Sequence, residues 1–287
     1  MIKSVWWVRC IAALPLPVLY CIAHSASFLS FRVFAHREAV VRENLSTAFP
    51  DCNEAQLREV ARRYHQGFAQ MFVEIVKAAR LPADEIRRRV RIVNPEMPRA
   101  ALERGTPVLL AGAHQCNWEW MLLALSLQLG FPLDAAYKPL VNAWAEREML
   151  TIRRRFGARM VAADELLADI IKRRDVVRAI ATLADQEPTK SEHKHWVRFL
   201  NRDSAFFLGI EEIARVTHYP VFFMTLRRTA RGYYEMEFKP LTMAGERLPP
   251  GELTERYARL VEEQIRGAPA DWPWSHKRWR LKRPLYG

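Results

Sequence analysis

Apolar and polar residues alternate along this chain in a way that predicts short buried strands separated by helices. The apolar run at 107–111 follows Gly105 and is typical of a buried strand, and Trp118 begins a helical pattern that Asn117 can cap. The same criteria predict further strands at 132–138, near Val161, at 176–185, at 220–228 and at 233–238, and further helices at 38–50, 144–156, 164–174, 204–217 and 252–266. This alternation favours an α/β fold, with a mixed, mostly parallel sheet flanked by helices.

The longest predicted helix runs from about Glu54 to Arg80. Its apolar residues recur every three or four positions from Leu57 to Ala79, and its opposite face is mainly charged. Asn53 stands where an N-cap is expected, because its side-chain oxygen can accept hydrogen bonds from the amides of the first turn. The pattern is that of an amphipathic helix packed on a core.

The N-terminal segment is apolar enough to reach a membrane. Residues 10–31 contain no Asp, Glu, Lys or Arg, which is about the length that a helix needs to cross a bilayer. Pro15 and Pro17 would kink such a helix, and tryptophans and basic residues flank it. We predict that residues 1–36 form a hydrophobic membrane-anchoring helix and residues 37–287 the α/β domain. A buried core helix and a cleaved signal peptide are the alternatives, and the positive charge on both sides leaves the orientation open.

The charge balance of the chain is strongly basic. It has 44 Lys and Arg against 32 Asp and Glu, which gives a formal net charge of +12. A basic surface attracts nucleic acid, anionic lipid headgroups or an acidic carrier protein, and charge alone does not choose among them.

The C-terminal segment 272–280 interleaves tryptophans with Lys and Arg. Such a patch suits nucleic acid. It also suits a membrane interface, where indole rings lie at the depth of the headgroups. Given the hydrophobic N-terminal segment, we favour the membrane and predict no nucleic-acid partner.

Cysteine and histidine usage argues against a metal site or a disulfide framework. The four cysteines form no CxxC pair, which fits a reducing compartment and predicts that the soluble part faces the cytoplasm. His193 and His195 have no Cys or acidic residue at ligand spacing, so we predict a surface pair and no metal.

The most informative stretch for chemistry is 110–120. His114 ends a predicted strand, and Glu119 follows five residues later in the first turn of a helix. A strand–turn–helix can bring the two together, so that the carboxylate holds one imidazole nitrogen and the other takes a proton from a hydroxyl. That hydroxyl could attack a thioester directly, and the chain has neither a GxSxG nucleophile motif nor a nucleotide-binding glycine motif. Taken alone, the pattern equally fits a surface or capping histidine.

Several segments together resemble a known family. They are VRENLSTAFP (41–50), AGAHQCNWE (111–119), YKP (137–139), RRRFGAR (153–159), ADQEP (184–188), VRFLNRDSAFFLG (197–209), HYPVFFMTLRR (218–228) and WPWSHKRWR (272–280). In this order they resemble the bacterial lipid A biosynthesis (late) acyltransferase family, a branch of the HX4D/E glycerolipid acyltransferase superfamily. No single segment is specific, whereas the ordered set is.

The resemblance implies a membrane-associated O-acyltransferase at the cytoplasmic face of a bacterial inner membrane. Its donor would be an acyl-carrier-protein or acyl-CoA thioester, with no further cofactor, and its acceptor a hydroxyl of a lipid A precursor or related lipid beside membrane phospholipid. The implied site has His114 as general base, Glu119 as its orienting partner, Arg153, Arg154 or Arg155 binding a phosphate or the oxyanion, and Asp185 and Gln186 lining the acceptor side.

Two departures concern the acceptor. Phe199-Leu200-Asn201 stands where the family usually has Phe-Phe-Gly, and the insert 189–195 is unusually polar. A non-catalytic lipid-binding or carrier-binding protein of the same fold is the alternative function.

Overall fold

The computed structural model describes residues 5–33, 35–188 and 193–283. Its α-helices within these ranges are α1 Trp6–Ala13, α2 Leu16–Val33, α3 Ala35–Ala48, α4 Glu54–Ala78, α5 Ala83–Arg89, α6 Glu96–Glu103, α7 Trp118–Gln128, α8 Ala143–Arg153, α9 Leu166–Lys172, α10 Gly209–Thr217 and α11 Glu252–Gly267. Its strands are β1 Val90–Ile92, β2 Val108–Gly112, β3 Leu133–Tyr137, β4 Arg159–Ala162, β5 Ala179–Leu183, β6 Lys194–Phe199, β7 Arg202–Phe207, β8 Val221–Ala230 and β9 Tyr233–Thr242.

Seven strands form one sheet in the order β1-β9-β8-β2-β5-β3-β4. The central strand β2 pairs in parallel with β8 on one side and β5 on the other, and β3 and β4 continue the parallel arrangement. Strand β9 runs antiparallel to β8 as the second arm of a hairpin. The predicted α/β fold with a mixed, mostly parallel sheet flanked by helices is confirmed.

Helices cover both faces of the sheet, so β2 is buried at every position. Successive side chains of a strand point to opposite faces. Leu110 accordingly packs in one hydrophobic cluster with Trp120 of α7, and Leu109 packs in a second cluster with Tyr257 of α11. This double burial explains why the strand has an unbroken apolar sequence.

One predicted helix was partly wrong. Residues 209–217 are helical, but the segment before them is strand β7, which pairs antiparallel with β6. The turn between the two strands consists of Leu200 and Asn201, both with positive φ (49° and 63°). Pairing with a strand earlier in the chain overrides the local helical pattern here.

Helix α4 forms as predicted, and its N-terminus has a complete capping box. The Asn53 side chain accepts from the Gln56 amide at 3.0 Å, and the Gln56 side chain accepts from the Asn53 amide at 2.8 Å. Both bonds satisfy amides that a helix leaves without an internal partner.

Replacing Asn53 by alanine is expected to destabilise the fold by about 1 kcal/mol, because one of these amides loses its acceptor. The measurement is the free energy of unfolding from denaturant titration. Arg58→Ala, an exposed change on the same helix, is the matched control and should stay within about 0.5 kcal/mol of the parent. Equal effects of the two substitutions would contradict the role of the cap.

The apolar N-terminal segment is a bent pair of helices. In the described part of the chain, no single helix has the length and apolar composition to cross a membrane. The pair formed by Trp6–Ala13 and Leu16–Ser25 has them together, with a bend of 105° between its halves. The predicted single anchoring helix is therefore broken at Leu14 and Pro15. The Lys77 ammonium of α4 holds the break, donating to the carbonyl oxygens of Ala12 (3.0 Å) and Leu14 (2.8 Å).

Candidate active site

Strand register brings two distant acid–base residues together at the carboxyl end of the sheet. Gly112, the last residue of β2, is in register with Leu183, the last residue of β5. Two residues beyond each strand stand His114 and Asp185, so parallel pairing places them side by side although they are 71 positions apart. The carboxyl ends of parallel strands are where α/β sheets bind their ligands.

Asp185 holds the His114 imidazole from one side. Its Oδ1 atom lies 2.7 Å from His114 Nδ1 and also accepts from the His114 backbone amide at 3.1 Å. An ionised carboxylate only accepts hydrogen bonds, so Nδ1 carries the proton and Nε2 has a free lone pair in the neutral ring. The His114 side chain is 20% exposed and Asp185 is fully buried, so the imidazole stands between the protein interior and solvent.

The environment of Asp185 favours its ionised form. Burial alone would raise the pKa of this carboxyl, but the facing imidazole and hydrogen bonds from His114 and from Trp272 lower it below its usual value. The Trp272 indole donates to Oδ2 at 2.9 Å, so both oxygens of the carboxylate are satisfied. Asp185 is therefore a fixed negative charge against the imidazole.

Tyr257 of α11 fixes the two strand ends to each other. Its hydroxyl donates to the Gly112 carbonyl at 2.7 Å and accepts from the Ala184 amide at 3.1 Å. A Cβ at Gly112 would lie 2.9 Å from a terminal methyl of Leu183, so a larger residue at this point would require the Leu183 side chain to shift. Tyr257 thus stabilises the strand register that sets the distance between His114 and Asp185.

Glu119 lies in the first turn of α7 but does not hold the imidazole. Its two oxygens accept from Arg153 of α8, at 2.9 Å from Nε and 2.6 Å from Nη2. Both side chains are largely buried. Burial alone would lower the pKa of Arg153, but the hydrogen bonds to Glu119 and the charges of Glu119 and Glu146 together raise it. The contact expected between Glu119 and His114 is corrected: Asp185 is the residue bonded to the imidazole, and Glu119 is bonded to Arg153. Glu119 is close to His114 in sequence, but the pairing of β2 with β5 places the Asp185 carboxylate next to the imidazole.

The sequence matches one known protein family over nearly its whole length. The model of the family described as bacterial lipid A biosynthesis acyltransferase matches residues 3–281. The chain belongs to the bacterial lipid A biosynthesis acyltransferase family. Membership identifies it as an acyltransferase, with an acyl donor and a lipid acceptor as its substrates. The comparison with curated proteins gave no match.

The remaining residues predicted for the acyltransferase site have different environments. Arg154 ends α8 and is exposed. Arg155 donates to the carbonyl oxygens of Ala78 and Leu81 and so fixes the end of α4. Gln186 follows Asp185 and is exposed. Of the three arginines, Arg153 contacts Glu119 of the site and Arg154 has a solvent-facing guanidinium, whereas Arg155 is bound to backbone.

The C-terminal segment of the acyltransferase is part of the core, and its prediction as a membrane interface was wrong. Trp272 and Trp274 are buried, and so is Arg278, whose pKa is lowered to about 10 by burial. Arg278 donates to the Asp185 carbonyl at 2.7 Å and to the Ala205 carbonyl at 2.7 Å. The alternation of tryptophan and arginine thus builds the wall behind the His114–Asp185 pair. The sequence of this segment does not show whether its tryptophans and arginines are buried or exposed, because both a buried wall and a surface patch have this composition.

The structure describes only part of the polar insert 189–195. Residues 189–192 fall outside the described residues. His193 pairs with Glu212 at 3.1 Å and His195 with Glu255 at 3.0 Å, so the two histidines contact different helices.

Proposed function

We propose that the protein is an O-acyltransferase that moves a fatty-acyl group from a thioester to a lipid hydroxyl, with His114 as general base. The observation that carries the proposal is the 2.7 Å bond between His114 Nδ1 and a buried, ionised Asp185, which leaves Nε2 free to accept a proton. Such a pair is the base–orienter arrangement that acyl-transfer sites use.

The reaction follows from the position of that nitrogen. Nε2 takes the proton of the acceptor hydroxyl as its oxygen attacks the thioester carbonyl carbon. The tetrahedral intermediate then collapses, the C–S bond breaks, and the imidazolium returns the proton to the leaving thiolate. Asp185 stabilises the imidazolium throughout, without itself taking the proton. Arg154, or Arg153 released from Glu119, is the cation available for the oxyanion or a substrate phosphate.

The surroundings of Cys116 support direct transfer without an acyl-enzyme. Cys116 is two residues from His114 and would be the obvious thiol nucleophile by sequence. Its side chain is buried, its Sγ lies 3.4 Å from the Leu226 carbonyl oxygen, and burial raises its pKa well above the usual value. A thiol of this kind is a poor nucleophile.

We propose an acyl-carrier-protein or acyl-CoA donor, and a lipid A precursor or related lipid as acceptor at the cytoplasmic face of a bacterial inner membrane. Both donors are anionic, and the net charge of +12 favours their approach. Family membership supports a lipid acceptor.

The test is transfer of a labelled acyl group from each donor to total bacterial lipid, with the products resolved by mass. Wild-type protein should give a lipid product one acyl group heavier than its acceptor, and the donor that supports it is the substrate. Absence of a product with every donor would favour a non-catalytic protein that binds lipid or carrier.

A further inference from the structure

Glu74 of α4 is a fully buried carboxylate that binds three other parts of the fold. Its Oε1 atom accepts from the Tyr20 hydroxyl of α2 at 2.8 Å, and its Oε2 atom accepts from the Tyr234 hydroxyl of β9 at 2.6 Å and from the Asn117 side-chain amide at 2.7 Å. Burial and the adjacent Glu74 carboxylate raise the pKa of both tyrosines, so each phenol keeps the proton that it donates. A carboxylate inside a protein requires such donors, and together they hold Glu74 in one orientation.

Asn117 connects Glu74 to the start of α7. The Asn117 Oδ1 atom accepts from the Trp120 amide at 3.0 Å and so caps the helix, while Nδ2 donates to Glu74. Both ends of the Asn117 amide are therefore used, and its orientation is fixed. The Trp120 indole adds a second bond, because it donates to the backbone carbonyl of Glu74 at 2.9 Å. The first turn of α7 is thus tied to one residue of α4 by two hydrogen bonds.

The loop between His114 and Asn117 has a strained backbone. Cys116 lies in the left-handed region with φ 53°, which is unfavourable for a residue with a side chain. Such a conformation persists only where the surrounding structure fixes it. The Cys116 amide donates to the Asp271 carbonyl at 2.9 Å, and the bond from Asn117 to Glu74 holds the next residue. The backbone after His114 is therefore held at two successive residues.

The same turn of α7 places an aromatic ring against the imidazole. Trp118 is the first residue of α7, and its ring meets the His114 ring edge to face, with centroids 5.1 Å apart and an angle of 74° between the planes. Asp185 fixes the imidazole at Nδ1, and Trp118 packs against the ring itself. The position of the α7 start therefore helps to set the direction in which Nε2 of His114 points.

We infer that Glu74 is a positioning residue for acyl transfer. It acts through Asn117, whose bond to the carboxylate fixes the strained loop after His114 and the place of Trp118 beside the imidazole. Loss of this bond would let the base move away from the acceptor hydroxyl, and small displacements of a catalytic group lower the rate strongly. The inference rests on the proposed role of His114 as general base.

The test compares the steady-state kinetics of two variants of the full-length protein that break the same hydrogen bond. Glu74→Gln leaves one accepting oxygen for three donors, and Asn117→Ser keeps a hydroxyl that can cap the Trp120 amide but is one bond too short to reach Glu74. Each should lower kcat about 10–100-fold and change KM for the thioester donor by less than about threefold. The double variant should be no slower than the slower single variant, because both changes remove one interaction.

Tyr20→Phe is the matched control. It removes another hydrogen bond to the same buried carboxylate, but on Oε1, and leaves Oε2 bonded to Asn117. The control should lower the melting temperature, because the carboxylate loses a donor, and should keep the wild-type kcat when assayed well below that temperature. Should Glu74→Gln fail to fold, Asn117→Ser carries the same prediction.

An NMR readout tests the positioning separately from catalysis. The chemical shifts of the His114 ring protons report the contact with the Trp118 indole, and they should change in Glu74→Gln and Asn117→Ser but not in Tyr20→Phe. A wild-type protein that transfers no acyl group would refute the proposed function, while these shifts would still test the role of Glu74. Folded Glu74→Gln and Asn117→Ser with wild-type kcat and unchanged His114 shifts would overturn the inference. A Tyr20→Phe variant as slow as Glu74→Gln would also overturn it, because the loss of rate would then follow from general destabilisation.

Discussion

Replacing His114 by alanine is expected to lower kcat/KM for acyl transfer by about 10²–10⁴-fold, the contribution of a positioned general base. The acceptor hydroxyl would then have to lose its proton to water, while Asp185, buried and ionised, would be left facing a cavity. The measurement is the initial rate of transfer of a labelled acyl group to the lipid acceptor.

His218→Asn is the matched control for this variant. His218 is exposed and lies before β8, at the end of the sheet opposite to His114, and asparagine tolerates its left-handed backbone (φ 57°). The control should keep its full rate. An alanine variant at position 114 that also keeps the wild-type rate would remove His114 from the mechanism.

Asp185→Asn is expected to lower kcat by about 10³–10⁴-fold while leaving the fold intact. The amide would offer either an N–H or a neutral oxygen to Nδ1. In the first case the imidazole proton moves to Nε2, which can no longer accept from the acceptor hydroxyl, and in the second the imidazolium loses its counter-charge. Asp175→Asn, a change in an exposed loop, should leave kcat unchanged.

Acid stability gives an independent readout of the same residue. The pKa of Asp185 is lowered in the folded protein, so its ionised form contributes stability that is present above the unfolded pKa of about 3.9 and is lost as pH falls through the folded value. The difference in unfolding free energy between wild type and Asp185→Asn should therefore shrink below about pH 4. If the difference in unfolding free energy stays constant below that pH, the ionised carboxylate of Asp185 does not stabilise the fold.

Local sequence patterns were enough to predict the strand and helices that position the site. The apolar run of β2, the Asn117 cap of α7 and the Asn53 cap of α4 are each encoded within a few residues, and all three were predicted. Strand β7 was not, because its partner β6 and the turn at Leu200 and Asn201 decide its conformation.

The residues of the site were predicted better than the contacts between them. His114, Glu119, Arg153 and Asp185 were all named from the sequence, and the structure brings them together as two pairs. The pairing depends on which strands are neighbours and in which register, and spacing along the chain does not carry that information. Trp272 was assigned to a membrane surface because its burial depends on the packing of residues far away in sequence.

Asp185, and not Glu119, holds Nδ1–H of His114 in this structure. The most direct measurement is the proton NMR spectrum of protein labelled with ¹⁵N-histidine, in which a hydrogen-bonded imidazole N–H gives a low-field resonance that His114→Ala identifies by its loss. We predict that this resonance persists in Glu119→Gln and disappears or moves upfield in Asp185→Asn. The reverse outcome, a resonance lost in Glu119→Gln and kept in Asp185→Asn, would contradict the account.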